Sequence, residues 1–552
     1  MSATPKSLRQ LEIIIKPIGL IILLLNAQLN IGQQAAEAKN ASGDATTPIV
    51  AQSSQIDTST ALCPAGLNAA IETVINRPQF SRERWGVLVQ TQASGKTLYS
   101  HDAQKYFTPA SNVKLLTSAA VLQLGAQFQI RTSVYVTRNG ALRVVGRGDP
   151  SLTDTGLVEL AQQLRVRGIR RVNQVIADGD YFRGATVNPS WEWEDVQADY
   201  GAPVNSLILN QNAVKLTLKA QQVGQPLQVS WSDPLEAKQW QIENESTTTQ
   251  SVKSTSINVS RESKTSVLKI TGQLNIDGQP QSVSLAVADP NEHFLRHFRR
   301  ALAIEGISQT NNIAQTPAIN EQQPLLINEL AVVKSPPLSE LLKETNQNSN
   351  NLYAEALLRV LGARLGKLTK PTVLKSSPPG GVPPPGKTGL DGFDGQNILS
   401  ADSVRLSADT TLQMGLGVVK ATLTQMGVDP SGYVLVDGSG LSRHNLVTPQ
   451  AIAQTLGAMA LSPLASVYRS SLPVAGISGT LQNRLRDTPA RGIVQAKTGT
   501  LSGVVALSGY INAPNYEPLV FSIMVNQSEQ SATTLKQAID EIVLLLTRLR
   551  YC

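Results

Sequence analysis

The segment FTPASNVKLLTSAAVL, residues 107–122, constrains the interpretation of the whole chain because it places a serine at the start of a helix. The apolar residues after Lys114 recur at helical spacing and predict a buried helix. In Ser111-x-x-Lys114 the two residues are nearly one turn apart, so the amine would lie beside the hydroxyl. The helix N-terminus also favours negative charge developing on Ser111. Taken alone, the pattern favours a plain helix N-cap followed by a surface lysine.

A second element, Ser349-x-Asn351, supplies groups that acyl transfer can use. The Ser349 hydroxyl can relay a proton to a departing amine, and the Asn351 carboxamide can orient Lys114 and a substrate amide. The alternative is structural, since either residue could cap a helix beginning at Leu352. The order of the motifs along the chain favours the catalytic interpretation.

The third element, Lys497-Thr498-Gly499, lies in a run that predicts a strand. A lysine acts as general base only when its amine is neutral, which burial and a second cation both favour, and Lys497 would supply that cation. The charge of Lys497 and the Thr498 hydroxyl suit binding of a terminal carboxylate, while Gly499 would let a substrate backbone approach. The N–H groups of Thr500 and of the nucleophile would form an oxyanion hole. Together the three elements predict catalysis by Ser111.

The pattern around these elements predicts an antiparallel sheet flanked by helices, an α/β fold of the α+β kind. The predicted elements are a helix near 64–76, a hairpin through Val87, Val89 and Leu98, helices around 338–342 and 352–360, strands at 493–496, 504–511 and 519–525, and a helix after Ser531. Between 136 and 330 short β-like runs separated by Gln, Ser and Thr predict inserted β-rich domains. The Pro/Gly-rich segment 367–395 predicts an exposed loop.

Length and composition exclude several classes of protein. A chain of 552 residues is too long for one core. The hydrophobic share of 41% fits a folded soluble protein, and the aromatic share of 4% argues against surfaces for base stacking. The net charge of +7 comes from scattered Lys and Arg, which suits mild attraction to a polyanion such as a cell wall. We expect no nucleic-acid partner.

The first 60 residues predict export. Basic residues up to Lys16 precede an apolar run over 18–25 and the small-residue site Ala36-Glu37-Ala38, which is typical of a signal peptide over 1–38. The run is shorter than the roughly 20 residues that span a bilayer. An uncleaved anchor, with peripheral membrane contact, is the alternative. Residues 39–60 predict a disordered lead-in.

The two cysteines, Cys63 and Cys552, stand near the two ends of the predicted folded part. Export makes a disulfide between them chemically permissible. If the first and last helices pack side by side, that bond would fasten the ends of the fold. Two unrelated free thiols are the other interpretation, and the sequence leaves both open.

The motifs also resemble those of a known family. Segments 109–114, 148–150, 437–443, 472–476 and 497–500 carry the resemblance. In this order they look like the active-site motifs of penicillin-binding proteins and serine β-lactamases, and more narrowly like the low-molecular-mass class C D-alanyl-D-alanine carboxypeptidase/endopeptidase family. The resemblance implies a β-lactamase/transpeptidase-like domain interrupted by two nested insertion domains. The implied boundaries are 61–135 and 333–552 for the transpeptidase-like domain, 136–213 and 288–332 for insertion domain II, and 214–287 for nested domain III.

The resemblance implies an acyl-enzyme on Ser111, formed with Lys114 as base, that cleaves peptidoglycan stem peptides ending in D-Ala-D-Ala. The activity would be that of a carboxypeptidase, an endopeptidase or both, located in the periplasm. β-Lactam antibiotics would be covalent inhibitors, and no cofactor is expected. A β-lactamase and a catalytically silent penicillin-binding cell-wall scaffold are the alternatives.

The resemblance further implies a pocket for the side chain of the wall peptide, contacted by Asp195, Tyr200 and Arg443. This sequence departs from the family pattern at two positions. Asn350 stands where Asp is common in the second motif, and Ser502 replaces a longer amide. The preferred diamino acid of the substrate is therefore left open.

Other motif matches are interpreted as coincidences. Ser266-x-x-Lys269 lies in an alternating, strand-like run, so its two ends would not share a helix face. Segment 381–389 holds a second Lys-Thr-Gly and a nucleotide P-loop pattern, but its prolines lack N–H groups to cradle phosphates. His293 and His297 are four residues apart on a predicted helix with no third ligand nearby, so we expect a solvated face and no metal.

Overall fold

The computed structural model describes residues 61–137, 140–251, 256–261, 266–314, 326–366 and 410–552. The predicted signal peptide and lead-in lie outside the described residues, as does the Pro/Gly-rich segment with its P-loop-like pattern. Over the described ranges, every helix is too short or too polar to cross a membrane.

The described residues form helices and strands in alternation. The helices are α1 Pro64–Ile75, α2 Val113–Val121, α3 Asp154–Val166, α4 Pro234–Ala237, α5 Pro290–Ile304, α6 Leu338–Gln347, α7 Asn351–Leu365, α8 Thr411–Gln425, α9 Pro449–Leu461, α10 Ala465–Ser470 and α11 Ala532–Thr547. The strands are β1 Arg84–Thr91, β2 Thr97–His101, β3 Arg131–Thr137, β4 Leu142–Val145, β5 Arg171–Asp178, β6 Ala213–Lys219, β7 Gln228–Trp231, β8 Gln241–Asn244, β9 Thr247–Thr249, β10 Ser256–Arg261, β11 Val267–Asn275, β12 Gln281–Ala286, β13 Ser308–Ala314, β14 Leu326–Lys334, β15 Tyr433–Val434, β16 Leu446–Val447, β17 Val494–Leu501, β18 Val504–Ile511 and β19 Leu519–Asn526.

The chain divides into two compact units. The smaller unit comprises the described part of Val214–Ser284, with the sheet β10-β11-β8 and β9 beside β11. Ser266 immediately precedes β11 and Lys269 lies within it, so the two residues cannot share a helical turn. The larger unit comprises the described residues of Gln55–Ala213 and Leu285–Cys552. The finer insertion boundaries implied by the family resemblance stay a prediction.

The main sheet of the larger unit has the order β17-β18-β19-β1-β2 with antiparallel neighbours. Every residue of β18 and β19 is buried, so both faces of the sheet are covered. Val505 and Leu507 pack with α1 and α11, whereas Ala506 and Tyr510 pack with the helices on the other face. This alternation follows from the two-residue period of a strand. Every residue of α2 is buried among the helices on that other face of the sheet.

The two ends of the described chain are fastened together. Cys63 and Cys552 form a disulfide with their Cα atoms 5.9 Å apart, which excludes the interpretation as free thiols. Leu62 forms a parallel β-bridge with Leu549, and Arg77 forms an ion pair with Glu541 of α11. The first and last helices therefore pack side by side, as the sequence predicted.

A second sheet of the larger unit has the order β13-β5-β4-β3-β14 and packs against α3 and α5. Strands β4 and β5 are parallel, which requires a crossover, and α3 provides it. The sequence predicted β-rich insertions here and overlooked α3. Its buried residues Leu157, Leu160, Ala161 and Leu164 have the spacing of a helix face.

The prediction that His293 and His297 form a solvated face is wrong. Both imidazoles on α5 are buried, at 1% and 2% exposure. Their rings are 4.5 Å apart, and His297 Nδ1 lies 2.6 Å from a carboxylate oxygen of Asp154. Because α5 packs this face against α3, where Asp154 begins the helix, the histidines belong to an internal contact.

Candidate active site

Ser111 lies in a 3₁₀ turn, Ala110–Asn112, that continues directly into α2. Its side chain makes no capping hydrogen bond to the helix, so the N-cap interpretation is wrong. Ala110 has a φ of +47°, in the left-handed region that residues with a Cβ seldom adopt. Asn112 anchors the turn, because its side-chain amide donates to Ser508 Oγ at 2.8 Å. The turn thus holds the Ser111 hydroxyl in a fixed place beside the main sheet.

Two glycines allow neighbouring segments to approach this turn closely. A Cβ on Gly440 would lie 1.9 Å from the Ala110 carbonyl oxygen, and one on Gly499 would lie 2.8 Å from the Pro109 oxygen. The space beside Gly499 is therefore filled by the nucleophile turn. Gly499 thus permits close packing of β17 on the turn, and its expected role of admitting a substrate backbone stays a prediction.

Lys114 is fully buried and its amine has three polar neighbours. The Nζ atom lies 3.0 Å from Ser111 Oγ, 2.7 Å from Asn351 Oδ1 and 2.6 Å from the Ser439 carbonyl oxygen. The latter two oxygens can only accept hydrogen bonds. A neutral amine that donates both hydrogens to them directs its lone pair at the serine hydroxyl.

The protonation of Lys114 is set by opposing effects. Burial lowers the pKa of Lys114 from 10.5 to about 7, while the carboxylates of Asp437 and Glu355 raise it. A value near neutrality provides a substantial fraction of free amine and retains enough basicity to accept a proton. This is the condition that the sequence analysis set for a lysine base.

Lys497 is also fully buried, and it contacts the second motif. Its Nζ donates to Ser349 Oγ at 2.8 Å and to the Thr498 carbonyl oxygen at 2.9 Å. Burial, and then the Lys114 charge, hold the pKa of Lys497 well below its ordinary value. Thr498 Oγ1 lies 2.8 Å from Thr480 Oγ1, and Thr500 is exposed. The structure thus forms two hydrogen-bonded groups, Ser111–Lys114–Asn351 and Ser349–Lys497. They are close enough for the Lys114 charge to act on Lys497.

The middle residue of the second motif caps the helix that follows it. The Asn350 side-chain oxygen accepts from the Tyr353 N–H at 3.2 Å, which makes Asn350 the N-cap of α7. Neither Ser349 nor Asn351 has that role. The Asn350 amide also donates to Glu344 Oε1 at 3.2 Å and to Gln211 Oε1 at 2.8 Å. An aspartate at 350 would place a carboxylate against Glu344, which accounts for the amide at this position.

Comparison with known proteins identifies the family. Residues 67–374 and 398–549 match the model of the D-Ala-D-Ala carboxypeptidase 3 (S13) family. The chain belongs to the S13 family. It is 31% identical to the D-alanyl-D-alanine carboxypeptidase of Actinomadura sp. (strain R39) over 481 residues, which cover 83% of this chain and 81% of that protein.

The D-alanyl-D-alanine carboxypeptidase DacB of Haemophilus influenzae is 25% identical, over 80% of this chain and 85% of that protein. The crystal structure of penicillin binding protein 4 (dacB) from Haemophilus influenzae matches with a TM-score of 0.70 and 22% identity, over 87% of this chain and 99% of that one. This likeness confirms the predicted transpeptidase-like fold. The predictions of the family and of a hydrolase are confirmed by the S13 match.

In this member of the S13 family, one of the three residues expected to contact the peptide side chain, Tyr200, lies against the second motif. The Tyr200 hydroxyl hydrogen-bonds to Asp195, and the Tyr200 carbonyl accepts from Asn351 Nδ2 at 3.0 Å. Burial raises the pKa of Asp195, and burial followed by the Asp195 charge raises the pKa of Tyr200 to about 12. Arg443 forms an ion pair with Glu192 at 2.7 Å and donates to the Ser502 carbonyl at 3.0 Å.

The sequence analysis missed two acidic residues of the site, Asp437 and Glu355. Asp437 is fully buried, and it accepts hydrogen bonds from the backbone of Gly440 at 2.8 Å and Ser442 at 2.7 Å. It thereby shapes the loop 437–443, which the family resemblance marked but to which the sequence analysis assigned no structural role. The Asp-Gly-Ser-Gly composition signals a tight turn, but the pattern does not reveal that the turn reaches Lys114.

Proposed function

We propose that this protein hydrolyses D-alanyl-D-alanine peptides of peptidoglycan through an acyl-enzyme on Ser111. The observation that carries the proposal is the Lys114 amine, whose two acceptors leave its lone pair facing the Ser111 hydroxyl at 3.0 Å. In the S13 family, this arrangement suits general-base activation of a serine.

In the proposed mechanism, Lys114 takes the proton of the Ser111 hydroxyl as the oxygen attacks the carbonyl of the penultimate D-Ala. The N–H groups of Ser111 and Thr500 stabilise the oxyanion, a contribution of roughly 3 kcal/mol per donor. The C–N bond then breaks, and the proton that Lys114 took reaches the departing amine through Ser349, which Lys497 contacts. Water attacks the ester next and gives a proton to Lys114. Lys114 returns that proton to the Ser111 oxygen as the ester C–O bond breaks and the shortened peptide leaves. Ring opening of a β-lactam uses the same first step and leaves Ser111 acylated.

Substrate recognition is proposed to involve two parts of the cleft. Lys497 and Thr498 bind the terminal carboxylate of the peptide. Asp195 and Tyr200, with Arg443 nearby, contact the side chain of the stem peptide. The adjacent carboxylates of Asp195 and Glu192 suit an amino-bearing side chain, since Asp195 lies within electrostatic reach of Glu192.

We also propose that the protein acts outside the inner membrane, in the periplasm, with peripheral membrane contact where the N-terminal segment is retained. The Cys63–Cys552 disulfide supports export, because such bonds persist in oxidising compartments.

The first test is labelling with a fluorescent penicillin and release of D-Ala from a pentapeptide. The wild type should be labelled and should release D-Ala, and Ser111→Ala should do neither. Ser266→Ala is the matched control, because it removes the serine of the other S-x-x-K sequence. Labelling that survives Ser111→Ala would end the proposal.

The same preparation separates the alternatives. Sustained nitrocefin turnover would indicate a β-lactamase, and labelling without D-Ala release would indicate a silent penicillin-binding scaffold. Mass spectrometry of digested peptidoglycan then distinguishes lost terminal alanines from opened cross-links, and so separates carboxypeptidase from endopeptidase activity.

A further inference from the structure

A buried ion pair on α7 lies directly behind the catalytic group. Glu355 and Arg359 are one helical turn apart, 0% and 2% exposed, with 3.0 Å between Arg359 NH1 and Glu355 Oε2. Glu355 also lies one turn after Asn351, so α7 presents the amide and the carboxylate on one face. The helix therefore supplies both a direct partner of Lys114 and a buried charge.

The second oxygen of Glu355 holds the backbone of loop 437–443. Its Oε1 accepts from the Gly438 N–H at 2.7 Å and from the Ser439 N–H at 2.9 Å. Ser439 in turn presents its carbonyl oxygen to Lys114 Nζ at 2.6 Å. A continuous chain of hydrogen bonds thus runs from the carboxylate through one residue of backbone to the amine. Hydrogen bonds in such a chain polarise one another.

We propose that Glu355 is a positioning residue for the catalytic amine: it fixes the Ser439 carbonyl on Lys114, and its negative charge sets the protonation of that amine. The proposal rests on the proposed role of Lys114 as the base. Without a fixed acceptor at Ser439, the amine could rotate, and its lone pair would no longer be held toward Ser111.

The charges around Lys114 support the second half of the proposal. The Asp437 carboxylate acts on it from the loop and that of Glu355 from α7, where Arg359 pairs with Glu355. Lys497 on β17 is in turn acted on by the Lys114 charge. Burial favours the neutral amine of Lys114, whereas the two carboxylates oppose it. Burial and then the Asp437 charge raise the pKa of Glu355, while the paired Arg359 and the Gly438 and Ser439 hydrogen bonds favour its ionised form. The ionised Glu355 retains the basicity that the amine needs to accept the serine proton.

The test measures the second-order rate constant of acylation by labelled penicillin across pH. Glu355→Gln keeps an acceptor oxygen and removes the charge. The acid limb of the pH–rate profile of this variant, where Lys114 titrates, should therefore move to lower pH by about one unit. Glu355→Asp keeps the charge and withdraws the acceptor by one methylene. It should lower the rate roughly tenfold to a hundredfold with the limb in place.

Asp178→Asn is the matched control, because Asp178 is a buried carboxylate paired with Arg143 at 2.8 Å in the second sheet. Its limb should coincide with that of the wild type. The double variant Glu355→Gln/Arg359→Met covers the case in which an unpaired Arg359 prevents folding. Its limb should also move to lower pH, since Glu355, and not Arg359, acts on the pKa of Lys114.

An acid limb that stays in place in both Gln-containing variants would overturn the proposal, as would an unchanged rate in Glu355→Asp. Failure of the wild type to be acylated at Ser111 would instead overturn the proposed function. A wild type that acylates with an acid limb shared by every Glu355 variant would refute only the role of Glu355.

Discussion

Two regions of the larger unit bury polar groups in different ways. In the catalytic cleft, Lys114 and Lys497 are fully buried and each amine has several fixed oxygen partners. At the α3–α5 contact, the buried His297 meets Asp154, whose side chain is half exposed. In the cleft, burial lowers the pKa of both lysines and so favours the neutral amine. At the α3–α5 contact, the polar pair joins two helices. Burial of a polar group therefore indicates catalysis only when its partners also direct it at a reactive atom.

The largest expected effect comes from removing the amine of the cleft. Lys114→Met should lower the rate of penicillin acylation about 10³-fold, because no base remains beside the Ser111 hydroxyl. The measurement is the acylation rate constant at pH 8. Lys269→Met, in the S-x-x-K sequence of β11, is the control and should acylate as the wild type does. A loss of less than tenfold in Lys114→Met would contradict the catalytic role of the buried amine, and with it the contrast between the cleft and the α3–α5 contact.

The next effect is on the pH dependence of stability. The unfolded chain keeps the Lys114 proton up to the ordinary pKa of 10.5, whereas the folded chain has lost it above about 7. Between these values the unfolded state binds more protons, so the free energy of unfolding rises with pH, by up to about 1.4 kcal/mol per unit for one such group. Urea titrations at several pH values should show this slope. Lys114→Met should reduce the slope and leave the contribution of Lys497, whose pKa is also lowered. An equal slope in both proteins would contradict the depressed pKa.

The smallest effect is expected at the α3–α5 contact. His297→Ala removes a buried ring and its hydrogen bond to Asp154, and should lower the free energy of unfolding by about 2 kcal/mol. Its acylation rate should equal that of the wild type. His101→Ala is the control, because His101 is a partly exposed histidine 3.7 Å from Glu72, and the change should cost less than about 0.5 kcal/mol. A large loss of acylation in His297→Ala would show that the two regions are coupled.

Much of the main sheet and its helices could be predicted from the sequence, because their apolar residues follow periods of two and 3.6. The nucleophile turn, α7 and β17 were located by motifs that combine residue type with spacing. The crossover helix α3 was missed because polar strand-like runs dominate its surroundings, although its four buried residues repeat as on a helix.

Glu355 was beyond prediction from motif spacing, since its partners Gly438 and Ser439 lie more than 80 residues away. A signal was nevertheless present in α7. The helix is apolar on nearly all sides, so an acidic and a basic residue one turn apart within it must be buried together and paired. The same logic explains the error at His297, where the partner Asp154 is distant in sequence and invisible to local periodicity.

The disulfide between Cys63 and Cys552 makes the protein a covalent ring that closes over a separation of 489 positions. A protease that cuts once between these cysteines opens the ring without releasing a fragment. The serine turn and the β17 lysine, which lie far apart in the chain, would remain tethered on either side of such a cut. In an environment that contains proteases, one cleavage of the chain therefore leaves its two parts covalently joined. Separation of the two parts requires both a cut and a reductant.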